Sequence, residues 1–519
     1  MKKHLPTLIL LSFLMLSLLT FVSPYTAVAH VSPYTAVAQD DELVILSPAS
    51  ESETVLIADK FADYYLAKTG RTVSVTYSVA GTSECVRRVI ESEGSPKWDV
   101  LLTGGLEVYI ELEGFGLLQS FCNPDDPDWV AINATVPDTL FGQFSAKDTT
   151  PENGMYNWWP TCMAGYGIIY NKEYFETHGI PIPKDWEDLT DPIYSGLITM
   201  SPPSRSGSNH AMMEIILHSY GWKVGWGIIT RIGANVAEFS LSSGGVVPFV
   251  EHGTYPISFV WDGYAVQLAM REAPVEFFYP PRDEVEKHTI MLPDCVAILA
   301  GAPHPDVAYY WMKFMVSDEG QKLWLGIRLP FLKSVYEEAP AGYPNPYEME
   351  MQTIEYNEEL VATRWDVING LFDNIIVAPQ DKLRTVWGTI QEANTSINEA
   401  AAEGHDVSMA RSALDEALNT MTSMPVDEAW AEANGAQYAT DSEFSDARNA
   451  EWTAFAIEKY DDALSAAVTA SYVWASEAIK AEQRTAESNL YIGLGGGFLL
   501  GAGIGGVAVY YRSKKKYEE

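Results

Sequence analysis

The chain has 519 residues, 47% of them hydrophobic, and a formal net charge of −37. That length holds roughly two to four domains and a core large enough to fold alone. An acidic excess of this size excludes nucleic acid as a partner, because nothing offsets phosphate repulsion.

At the start, Lys2-Lys3 precede an apolar run from Leu8 to Val22. The octapeptide Val22 to Ala29, "VSPYTAVA", then recurs as Val31 to Ala38. Each copy ends in Ala-Val-Ala, the small-x-small pattern of a signal-peptidase site. Residues 1–38 are therefore expected to be a signal peptide, cleaved near His30 or Gln39. The duplication reads as local sequence slippage.

From Asp41 strand and helix alternate. "ELVILSP" is a strand, and "ETVLIADKFADYYLAKTG" is a helix with Val55, Ala58, Phe61, Ala62 and Tyr65 on one face. "RTVSVTYS" is a second strand, "GTSECVRRVIESEG" a second helix, "KWDVLLTGG" a third strand. Units of about 30 residues in this order predict a parallel α/β sheet. Phe121 to Gly154 is loop-like. Further units follow at "GYGIIYNKEYF", "GLITM" and "YPISFVWDGYAVQLAM". Beyond Thr353 strands cease and helices follow, with breaks at Pro379 and Gly404-His405. Asp441 to Asn489 lacks Gly and Pro, and its apolar residues recur at helical spacing. This stretch is either a stalk or a helical bundle packed on the main domain. Leu490 to Tyr511 carries no charge and is long enough to span a bilayer. The basic "RSKKK" after it places the 512–519 tail in the cytoplasm and the body outside. Gly493, Gly497, Gly501 and Gly505 lie four residues apart in the span, a spacing that permits close helix packing.

The four cysteines are Cys85, Cys122, Cys162 and Cys295, with three pairings open to them and no metal-site spacing. Asn133 and Asn394 are glycosylation acceptors by motif. HExxH, GxSxG and P-loop motifs are missing and the nine histidines are scattered, so an enzyme is not expected.

Five segments together resemble the extracellular solute-binding proteins of ABC importers, in particular the ferric-iron, thiamine and phosphorylated-sugar binders (family 1). They are "GYGIIYNKEYF", "PKDWEDLTDPIYSGLITMSPPSRSGS", "ANVAEFSLSSGGVVPFVEHGTYPISF", "VAILAGAPHPDVAYYWMKFMVSDEGQKLW" and "LPFLKSVY". The resemblance runs from about Asp41 to Ala400. It implies an α/β, type II periplasmic-binding-protein-like clamshell. Lobe 1 would comprise 41–163 and 292–400, and lobe 2 would be 164–291. A helical extension at 401–489 and a transmembrane helix at 490–511 would follow. The partners implied are a small-molecule or ion ligand and an ABC permease with its ATPase. A surface ligand sensor with the same clamshell is the alternative. Cys162 and Cys295 would lie on neighbouring crossing strands, and a disulfide is expected there; two separate buried thiols are the alternative.

In such lobes ligands sit at strand carboxyl ends and helix N-termini, where unpaired N–H groups favour anions. Four loops fit that place. The first holds Ser47, Ala49 and Ser50. The second holds Gly81, Thr82 and Ser83, and the third Gly104. The fourth, "SRSGSN", holds Arg205, Ser206, Gly207 and Ser208, with Arg205 a bidentate donor. Together they point to an anionic ligand, either a phosphorylated compound or ferric iron with an anion. No cofactor is expected. A fifth stretch holds Trp261, Asp262 and Tyr264. Ferric-iron members carry adjacent tyrosines here, and Trp-Asp replaces the pair, which counts against iron. Asp262 and Tyr264 would be its ligands if iron is the cargo.

Overall fold

The structure, a computed structural model, describes residues 41–122, 125–136, 139–140, 144–145, 155–349 and 351–494. The expected signal peptide and tail lie outside them, as does the expected span beyond Leu494. Among the described residues no helix is long and apolar enough to cross a membrane. The chain divides into two compact units, Met1–Gln380 with Met424–Phe455, and Asp381–Ser423 with Ala456–Glu519.

The first unit opens with β1 (Asp41–Ser47), α1 (Glu51–Thr69), β2 (Val73–Val79), α2 (Thr82–Glu91), β3 (Val100–Gly105) and α3 (Leu106–Gly114). Short β4 (Leu118–Gln119), α4 (Pro127–Asn133), and the paired β5 (Thr139–Leu140) and β6 (Phe144–Ser145) lead to β7 (Trp159–Asn171). Then come α5 (Lys172–His178), β8 (Ile198–Met200), α6 (Gly207–Asn235), β9 (Val236–Phe239), α7 (Val247–Glu251), β10 (Ile257–Trp261), α8 (Asp262–Met270), β11 (Val275–Phe278) and β12 (Met291–Leu299). The rest is helical: α9 (Pro305–Met315), α10 (Asp318–Lys322), α11 (Glu358–Phe372), α12 (Gln380–Ala402), α13 (Ser408–Thr422), α14 (Glu428–Thr440) and α15 (Ser442–Leu494).

The main sheet runs β2-β1-β3-β12-β7-β10-β8-β9. β1 is parallel to β2 and β3, and β8 to β9 and β10. Between these groups stand β7 and β12, antiparallel to each other. β7 pairs with β12 through Trp159 to Gly165 and with β10 through Tyr166 to Tyr170. It therefore serves both halves, and every residue in it is buried. Its near-continuous apolar sequence is that of a strand covered on both faces. One lobe is built on β1–β3 and the other on β8–β11. Two apolar layers sandwich the first lobe's sheet. One gathers Leu43, Ile45, Phe61, Trp159 and Trp311, the other Leu46, Val86, Leu101, Tyr109 and Trp158.

The expected Cys162–Cys295 disulfide is not formed, and both thiols are free and buried. Cys162 lies opposite Asp294, and Cys295 opposite Pro160, with a register shift between them. Side chains alternate across a strand, so neighbouring positions in register face opposite ways. Cys162 falls in one apolar layer and Cys295 in the other.

The second unit is built from helix faces with apolar residues three and four apart. They are Leu383, Val386, Ile390, Ala393 and Ile397 on α12, Ala410, Leu414, Ala417 and Met421 on α13, and Tyr460, Ala463, Ala467 and Ala470 on α15, all buried.

Candidate functional site

The carboxyl ends of β1, β2 and β3 meet the turn before α6 around a cavity of about 320 Å³. Of the expected ligand-binding residues, Ala49, Ser50, Gly81, Thr82, Gly104, Arg205, Ser206, Gly207, Ser208, Trp261 and Tyr264 line it. Ser47 lies behind the wall. Its hydroxyl donates to the Leu102 carbonyl at 2.9 Å and accepts from the Ala49 N–H at 3.0 Å, which shapes the β1–α1 turn. Ser83 is also off the wall, its hydroxyl buried without a partner. Asp262 is buried behind Trp261. Its Oδ2 accepts from the Gly165 N–H at 2.8 Å and the Tyr279 hydroxyl at 2.7 Å. Burial pushes its carboxyl up to about 7 against those bonds. Asp262 and Tyr264 are not brought together on the cavity wall. Among the described residues no cluster of His, Cys, Asp and Glu is placed to hold a metal ion.

Helix starts supply the polar lining. α1 is closed by its own capping box: Glu53 N–H donates to the Ser50 hydroxyl at 3.3 Å, and Ser50 N–H to Glu53 Oε2 at 2.9 Å. At α6 the Ser206 hydroxyl accepts from the Asn209 N–H at 3.2 Å. α2 differs. Its N-cap is Gly81, which has no side chain to cap with. Its first N–H groups therefore face the cavity without a side-chain acceptor, at the positive end of the helix dipole.

The α2 and α6 starts come from opposite lobes and touch. A Cβ on Gly81 would sit 3.0 Å from the Arg205 carbonyl oxygen. A Cβ on Gly207 would sit 2.8 Å from Thr82 Oγ1. Glycine at both places lets two backbones close on one small space.

Sequence reasoning missed the charged side chains of the wall: Glu53, Glu107, Asp294 and Arg328. Arg328 is 6% exposed. It donates to Asp294 at 2.6 Å and to Glu53 at 3.3 Å, and its guanidinium lies 4.4 Å over the Trp261 ring. Burial alone would lower its pKa, but the adjacent Glu53, Cys162 and Asp294 outweigh that and keep it charged. Arg205, by contrast, is exposed, and its charge acts on Asp373, whose carboxyl burial nonetheless pushes up. Thr103 of the third expected loop also lines the cavity, as do Tyr166 and Ser242 to Gly244, which sequence reasoning missed.

The chain is similar to known proteins in sequence and in fold. Residues 130–357 match the family model described as bacterial extracellular solute-binding protein. This region is therefore similar to bacterial extracellular solute-binding proteins. The chain is 28% identical over 296 residues to the phosphoglycerate transport regulatory protein PgtC of Salmonella typhimurium, covering 56% of this chain and 68% of the relative. It is 25% identical over 263 residues to a putative 2-aminoethylphosphonate-binding periplasmic protein of the same organism, covering 50% and 68%. Among solved structures, the periplasmic binding protein AfuA of Actinobacillus pleuropneumoniae, with fructose-6-phosphate bound, superposes with a TM-score of 0.54 at 20% identity. That likeness covers 65% of this chain and 99% of AfuA, and it shows the two-lobe periplasmic-binding-protein fold.

Proposed function

We propose that the protein captures a small phosphate- or phosphonate-bearing anion outside the cell and delivers it to an ABC permease. The observation that carries this reading is the uncapped α2 start at Gly81, facing the α6 start across one cavity. Free N–H groups at a helix start suit a doubly charged oxyanion. Serine and threonine hydroxyls around it add donors without adding charge. The relatives' names, phosphoglycerate and 2-aminoethylphosphonate, fit that class. Closure of the lobes over the ligand would form the surface that the permease reads.

A thermal-shift titration of the full chain tests this. The panel is 3-phosphoglycerate, 2-aminoethylphosphonate, fructose-6-phosphate, inorganic phosphate, and ferric iron with and without citrate. A true ligand at roughly 100 times its dissociation constant adds about 2.7 kcal/mol of stability. Stabilisation by metal cations alone would sink the proposal. Iron with citrate as sole stabiliser would favour ferric cargo instead.

A second reading, a ligand sensor, is favoured by the word "regulatory" in the PgtC name. Uptake of labelled ligand separates the two. Loss of uptake when this chain is deleted supports delivery. Unchanged uptake with altered transporter expression supports sensing.

A further inference from the structure

The cavity wall also holds two buried polar atoms without partners. Glu107, 2% exposed, stands in the first turn of α3. Its carboxyl folds back over Gly105, where a Cβ would meet Oε1 at 2.3 Å, and takes a bond from its own N–H. Its Oε2 is left with none. Thr103, 1% exposed, lies in β3 just before Gly104-Gly105 with a left-handed φ of 66°, which is costly for a β-branched residue. Its carbonyl accepts from the Tyr109 hydroxyl at 2.9 Å, while its own Oγ1 has no partner. Both residues line the cavity. A buried carboxyl oxygen and a buried hydroxyl left unpaired in the cavity lining cost free energy that ligand groups bonding them would recover.

The capping also separates two ends of the site. Glu107 occupies the start of α3 with its own carboxyl group, which takes up an N–H there that an anion would otherwise use. The start of α2 has no such cap. Asp294 on the same wall is engaged with Arg328 and adds further negative potential near Glu107.

We propose that Glu107, supported by Thr103, is a specificity-determining residue that accepts a hydrogen bond from a hydroxyl or ammonium group on the ligand. The ligand is thus bifunctional, with a phospho group at the α2 and α6 starts and a donor group at Glu107. This rests on the phospho-anion reading above.

Two ligand pairs test it, each differing by the donor alone. They are 2-aminoethylphosphonate against ethylphosphonate, and 3-phosphoglycerate against 3-phosphopropionate. Dissociation constants are measured by calorimetry on the full chain and on Glu107→Gln and Thr103→Val. The wild-type chain should favour the donor-bearing member of at least one pair tenfold or more. Glu107→Gln should shrink that ratio to about threefold or less, while the donor-free member binds as before. Thr103→Val should shrink it partly. A residue that merely caps α3 would weaken both members equally, and that result overturns the inference. So does a wild-type ratio near one in both pairs. If none of the four compounds binds, the phospho-anion reading itself fails and this inference falls with it. If they bind without discrimination, only the inference fails.

Discussion

Arg328 is the residue on which the cavity floor depends. Its guanidinium lies between the rings of Trp261 and Trp324, at 4.4 and 5.4 Å, and bonds two carboxylates. Removing one partner of a buried ion network strands the others in low dielectric. Arg328→Met should lower unfolding free energy by about 3–5 kcal/mol, because Glu53 and Asp294 would be left unpaired. Arg328→Lys should lose less, since it keeps the charge and loses only the planar fork. Urea denaturation of both variants checks this; a loss below about 1 kcal/mol for the methionine variant would show that the carboxylates are neutral in the fold. This arginine also shows why part of the site was illegible. Arg205 stood out because it sat among serines and glycine, the residues of an anion loop. Arg328 sits in "GIRLPF", an apolar linker, and its partners Glu53 and Asp294 are 275 and 34 residues away in sequence. No local pattern reports a bond of that span. Glu107 was hidden likewise, reading as an ordinary first-turn acid.

At the scale of elements, legibility followed periodicity. β1 to β3 and their helices alternate cleanly between the periods of strand and helix, so the α/β lobe could be read. α14 could not, because Gly435 interrupts it. That glycine is there for packing: a Cβ would lie 1.9 Å from the Thr363 carbonyl oxygen of α11. α11 in turn pins α6, the helix that follows the Arg205–Ser206 turn of the cavity wall. Arg364 bonds Glu214 of α6 at 2.9 Å and Glu428 of α14 at 2.6 Å, and Trp365 stacks on His210 at 3.6 Å. In the second unit, α15 buries Lys459, whose Nζ donates to the Ser423 carbonyl at 2.7 Å. Burial lowers its pKa from 10.5 to about 7. The unfolded lysine therefore holds its proton over a pH range in which the folded one has lost it. Stability rises with pH wherever the unfolded state binds more protons. The helical unit should thus gain stability from about pH 7 upward toward 10.5, by on the order of a few kcal/mol. Lys459→Met should be more stable at pH 7 and remove this slope. Helical circular dichroism in urea at pH 7 and pH 9 measures both, and an equal slope in the variant would assign the pH dependence elsewhere.

Within the first unit as a whole, the lobes are joined by crossing strands and meet at two glycines. Hinged lobes can shut only where nothing protrudes at the seam. At Gly207 a side chain would strike Thr82 Oγ1, Cβ and Cγ2 at 2.8 to 3.1 Å, and Thr82 is β-branched, with little freedom to turn aside. Gly207 lies in the first turn of α6, a position whose conformation other residues adopt. Gly207→Val should therefore leave each lobe folded while holding the seam apart. Capture would then lose the contacts of one lobe. The expected result is an unfolding free energy within about 1 kcal/mol of the wild type, with ligand affinity reduced at least tenfold. The fluorescence change from Trp261, which lines the cavity, should shrink in parallel. Ligand titration by calorimetry and tryptophan emission reads both. Gly81→Ala is the milder case, since its Cβ would meet one carbonyl oxygen at 3.0 Å, and it should fall between the two. Wild-type affinity in Gly207→Val would mean that the phospho group is held by the α2 start alone, with the second lobe a cover rather than a partner in binding.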